Sequence, residues 1–155
     1  MTHTATLMKP RVYLLVAAGL MAIGALLHLV VVAVGADAYA LLGAPDGLVA
    51  MVAAGSMRPA VSALLIAALL VVGSTYGFSA AGIGWRLPAR RLVLAICALG
   101  LVARGVVLPL VAAWQPSLLS GVCGRCESVN GFVLVTSALC LLVGGAYGAA
   151  AVRHG

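Results

Sequence analysis

The sequence predicts an all-α integral membrane protein: four transmembrane helices in one bundle, with a short interfacial helix in the first outer loop. Three observations predict it. Of 155 residues, 65% are hydrophobic and 8% charged, with a mean hydropathy of +1.23, whereas soluble domains carry about 25% charged residues. The apolar sequence divides into four runs, each long enough for the roughly 20 residues that cross a ~30 Å hydrocarbon core. The basic residues gather at the ends of those runs, as topology signals do.

The first run, Val12 to about Gly35, follows Lys9 and Arg11 and reads as helix 1, about 12–35. A cleaved signal peptide is the competing reading, but its apolar region would span only about 7–15 residues. Between Gly35 and Arg58 lies an unusually apolar loop. There Pro45, Asp46 and Gly55 bracket a short helix, too short to cross a bilayer and suited to the interface or to the mouth of the bundle. Pro59 opens helix 2, about 60–84, and the tight basic connection Trp85 to Arg91 leads into helix 3, about 92–114. Helix 4, about 131–152, follows a connection that holds Cys123, Cys126 and Glu127. These spans leave no room for a separate soluble domain, so residues 1–155 form one transmembrane domain.

Lys9, Arg11, Arg86, Arg90, Arg91 and Arg153 fall on one side of this arrangement, and Arg58 and Arg125 on the other. The positive-inside rule then makes both termini cytoplasmic and places Asp37, Asp46 and Glu127 on or near the outer face. The net charge of +6 does not point to nucleic acid, because the basic residues form no continuous patch interleaved with aromatics.

Helices 1 and 3 share a segment, since 19–30 aligns on 100–111 without gaps. Helices 2 and 4 share another, 70–77 on 141–148, and both contain a glycine pair four residues apart, Gly73 with Gly77 and Gly144 with Gly148. Together they suggest a duplicated two-helix hairpin, with halves related by an axis along the membrane normal. The glycine pairs suit close helix packing inside one chain, or alternatively a dimerisation face, which leaves a homo-oligomer open. Tyr76 and Tyr147 are read as interfacial anchors.

Where the repeat departs from itself it becomes informative. Arg104 stands where helix 1 has Ile23, and His28 where helix 3 has Pro109. Helical rise places Arg104 roughly 18 Å and His28 roughly 24 Å from the inner ends of their helices. A guanidinium that cannot deprotonate, set within a span, requires a partner, water or a ligand. Arg104 is therefore expected to face inward, with Glu127 as its most accessible counter-charge and Asp37 or Asp46 as a further one if the first loop folds inward, in an outward-facing vestibule with His28. The competing readings are an internal ion pair that fixes helix register, and snorkelling. A lone His28 suits a hydrogen-bonded packing residue better than a metal or haem ligand, because no second histidine lies at a comparable depth.

Cys123 and Cys126 form a Cys-x-x-Cys beside the start of helix 4, where the helix dipole and Arg125 would favour a thiolate and Glu127 would oppose it. This outer dithiol and the helix count resemble the vitamin K epoxide reductase and disulfide-oxidase membrane proteins, which use a quinone. Those proteins carry a second cysteine pair on an outer loop, whereas Cys97 and Cys140 lie within helices here. A static disulfide or soft-metal capture by the two thiolates are the other readings of this motif. Walker, dinucleotide, zinc-protease and nucleophile-elbow motifs are absent from the sequence. Helix 1 also lacks the acid that small four-helix cation exporters need.

The succession of His28, Gly35-Ala-Asp37-Ala-Tyr39, Gly55-Ser56, Pro59, Tyr76-Gly-Phe-Ser79, Leu87-Pro88, Arg104-Gly105 and Ser137-Ala-Leu-Cys140 resembles a group of small bacterial four-helix membrane proteins. That resemblance implies a bacterial cytoplasmic membrane but supplies no reaction. The leading expectation is thus a non-enzymatic protein of the lipid bilayer. It binds a small polar or lipid-like ligand, or a membrane-protein partner, through Arg104, His28, Glu127 and Asp37, with no metal. The alternative is a quinone-linked thiol-disulfide oxidoreductase using Cys123 and Cys126.

Overall fold

The structure, a computed structural model, describes residues 3–119, 129 and 131–153, with side chains from residue 11 onward. The described residues form α1 (His3–Val34), α2 (Ala36–Leu41), α3 (Asp46–Ala53), α4 (Arg58–Ala80), α5 (Arg90–Trp114), a 3₁₀ turn (Pro116–Leu118) and α6 (Gly131–Arg153). Four of these, α1 from Arg11, α4, α5 and α6, are long and apolar enough to cross a membrane. The protein is an all-α bundle of four such helices.

Helix boundaries follow local chemistry. Proline near the start of α4 loses no helical hydrogen bond there. The helix stops at Ala80 rather than Gly84, because Gly82 and Gly84 both take φ +82°, which turns the chain away. Ser79 then pins the connection: its hydroxyl donates to the Trp85 carbonyl at 2.7 Å and accepts from the Leu87 N–H at 3.3 Å, while its own carbonyl accepts from Arg90 at 3.3 Å. Helix α1 continues back to His3, well before the expected start at Val12.

The first loop holds the expected short helix, now α3, and a second one, α2, that the sequence did not disclose. Gly35, at φ +95°, breaks α1 from α2. The loop folds down on the ends of α1 and α4, where Val31, Tyr39 and Ala63 are buried beneath Leu48, Val49 and Val52.

The helices pack as two hairpins, α1 with α4 and α5 with α6, joined more thinly through α1 with α6 and α4 with α5. Close approach within each depends on glycine. A Cβ on Gly24 would lie 3.3 Å from Leu70, and one on Gly105 would lie 2.8 Å from Leu141. Gly73 likewise packs under Met21, and a Cβ on Gly144 would lie 2.9 Å from Val102. Gly77 meets Ala18 and Tyr147, and Gly148 meets Ala98. Both glycine pairs are therefore used for packing within the chain, which accounts for them without a dimerisation face.

Candidate functional site

Gly73 is where all four spans converge. Met21 of α1 packs on it, Cys97 Sγ of α5 would lie 3.5 Å from a Cβ there, and the Tyr147 hydroxyl of α6 donates to its carbonyl at 2.9 Å. Tyr147 is fully buried, so the expectation that it anchors at the interface is corrected. The small residues around it open a slot deep enough for the ring, and the Gly73 carbonyl satisfies its hydroxyl. Interfacial character belongs instead to Tyr13, Trp85 and Trp114, which are 68%, 90% and 81% exposed.

Around Gly73, toward the end with the α4–α5 connection, one core unites the helices. It includes Leu14, Ala17 and Met21 of α1, Leu94 and Ala98 of α5, and Val143, Tyr147 and Ala150 of α6, with Ala81 just past α4. Toward the other end this core divides. One cluster, Leu108, Ala112, Leu119 and Val133, belongs to the α5–α6 hairpin, and the other, around Tyr39, belongs to α1, α4 and their loop. Among the described residues, no buried cluster joins the two hairpins in this half.

Arg104 and His28 stand beside that division. Arg104 is seven residues beyond Cys97, and His28 seven beyond Met21. Seven residues are nearly two helical turns, about 10.5 Å along the axis and only about 20° around it. Both side chains therefore leave their helices on nearly the faces that Cys97 and Met21 present at Gly73, farther from the α4–α5 connection. His28 is half-buried, and its Nδ1 donates to the Gly24 carbonyl at 2.8 Å, which in the neutral ring leaves Nε2 as an acceptor.

Arg104 is exposed. The hairpins do not close over it, since no common core lies at its level. Asp37 and Asp46 are exposed on the loop helices, and among the described residues neither forms an ion pair with Arg104. Tyr39, two residues after Asp37, is the loop residue that is driven into the core. Its hydroxyl, like that of Ser137, is buried without a hydrogen-bond partner, and burial pushes the phenol above its ordinary value of 10.0.

Glu127, Cys123 and Cys126 lie outside the described residues. Cys97 and Cys140 are free and half-buried within their helices. No group of three or more metal-ligating side chains occurs among the described residues. The Tyr147–Gly73 link escaped sequence reasoning, although the run of small residues around Tyr147 was a usable signal for close packing. Comparison with protein families, curated proteins and solved structures finds no match for this chain.

Proposed function

We propose that this chain is a non-enzymatic membrane protein that binds a small polar or lipid-like ligand along the outer seam between its two hairpins. The observation that carries this reading is the position of Arg104 and His28, two turns beyond the convergence on Gly73, where the shared core has ended. A permanent cation on α5 and a histidine acceptor on α1 suit an anionic or strongly polar group, and the flanking apolar faces suit a hydrophobic tail. Asp37 and Glu127 belong to the loops at the same end and would contribute at the rim.

The positive-inside rule puts the α4–α5 connection and both termini in the cytoplasm, so the seam opens outward from a bacterial cytoplasmic membrane. A duplicated hairpin is supported by paired contacts at aligned positions: Gly24 on Leu70 matches Gly105 on Leu141, and Gly73 under Met21 matches Gly144 under Val102. On this reading the duplication supplied the scaffold and the later divergence at Arg104 and His28 supplied the site.

Mass spectrometry of small molecules that co-purify with the wild type and with Arg104→Gln tests the proposal. The expected result is a species held by the wild type and lost from the variant. Equal occupancy in both would remove Arg104 from the site and the proposal with it.

A further inference from the structure

At the end of the bundle opposite that seam, α1, the close of α4 and α6 bound a surface groove of ≈ 570 Å³. This lies within the roughly 300–1,000 Å³ typical of small-ligand sites. Its wall is apolar, with Leu14, Leu142, Gly145 and Ala149 among the lining residues, and Arg11 and Arg153 are the charged groups on it. Gly145 is exposed, and a Cβ placed there would meet nothing within 4 Å, so the trough is hollowed by a missing side chain. Tyr13, with its amphipathic ring, also lines the groove and is 68% exposed.

Charge decides the occupant. The side-chain carboxylates among the described residues, Asp37 and Asp46, lie in the connection at the other end, whereas Arg86, Arg90 and Arg91 add to the positive charge at this one. Among the described residues, the guanidiniums at the groove therefore have no side-chain carboxylate at their own end. A fork of N–H donors matches the oxygens of a phosphodiester, and basic pockets between transmembrane helices take anionic headgroups.

We propose that this groove binds an anionic phospholipid, with Arg11 and Arg153 engaging the phosphate and an acyl chain lying in the trough over Gly145. Tyr13 marks the level of the headgroup. The small side chains of α6 let the chain approach the helix backbone, which bulk lipid cannot do against a leucine-covered surface.

Native mass spectrometry of the purified protein titrated with phosphatidylglycerol or phosphatidylcholine tests this. Phosphatidylglycerol should be retained at least roughly tenfold better, as two guanidinium contacts imply. Arg11→Gln with Arg153→Gln should bring its retention down to that of phosphatidylcholine. Gly145→Leu, which fills the trough without touching the core, should weaken both lipids while the helical circular dichroism is kept; Ala149→Leu serves if it does not. Equal retention of the two lipids by the wild type, or undiminished phosphatidylglycerol in either set of variants, overturns the proposal. Loss caused instead by Arg86→Gln with Arg91→Gln would place the lipid on the α4–α5 connection and also overturn it. Displacement of the lipid by inorganic phosphate alone would refute the acyl-chain component.

Discussion

Tyr147 reaches from α6 to α4 and donates its phenolic hydrogen to the carbonyl oxygen of Gly73 at 2.9 Å, with no part of the residue exposed. It is a direct hydrogen bond between the two hairpins, set where Met21 and Cys97 also arrive. The Gly73 carbonyl has a second lone pair for its own helix, so the link adds to the helical hydrogen bond instead of replacing it.

Tyr147→Phe should therefore lower stability by only about 0.5–1.5 kcal/mol, the range of interhelical hydrogen bonds in membranes. Unfolding of the detergent-solubilised protein in increasing sodium dodecyl sulfate, followed by circular dichroism, checks it. Retention of wild-type stability would mean that packing alone joins the hairpins.

Gly77→Ala should cost more, about 1–3 kcal/mol, because its methyl would press on the Tyr147 ring and on Ala18, 2.9 Å away, and overpack the centre of the bundle. Gly19→Ala is the contrast. Nothing lies within 4 Å of the added methyl, and the helix gains about 0.8–1 kcal/mol in propensity, so that variant should be as stable as the wild type or more so.

Arg104→Leu should leave the fold intact. A residue that is exposed and unpaired with Asp37 or Asp46 removes no buried partner when it goes, whereas breaking a buried ion pair would cost about 3–5 kcal/mol. Unchanged resistance to sodium dodecyl sulfate together with loss of the co-purifying species is the expected combination. A collapse in stability would show Arg104 to be structural.

Tyr39 sets an alkaline limit. Its folded-state pKa is raised above 10.0 by burial. The unfolded chain therefore loses the phenolic proton first, and stability falls as pH rises through about 10 until the folded phenol ionises as well. Tyr39→Phe removes the share of that pH dependence that Tyr39 contributes. It also removes a buried hydroxyl without a partner, so stability near neutral pH should match or exceed the wild type. Ultraviolet titration at 295 nm and unfolding curves from neutral to alkaline pH measure both effects.

The four spans were legible because hydrocarbon length, and not tertiary contact, sets them. Expected limits of about 60–84, 92–114 and 131–152 lie close to Arg58–Ala80, Arg90–Trp114 and Gly131–Arg153, since Pro59, Gly82, Gly84 and the flanking arginines act locally on the backbone or on bilayer insertion. The short helix after Pro45 was legible for the same reason. Helix α2 was not, because six residues, apolar but for Asp37, that continue an apolar run carry no period of their own. Azimuth was equally hidden. In a chain apolar on nearly every face, hydropathy does not distinguish the side of a helix that meets protein from the side that meets lipid. The choice fell to shape, with Gly105 and Gly144 allowing close approach within one hairpin and Tyr147 filling the slot at Gly73 and Gly77. Sequence by itself thus determined that Arg104 and His28 are polar residues within spans. Only the packing of one hairpin against the other, shared around Gly73 and divided beyond it, decided that His28 is half-buried and that Arg104 stands exposed.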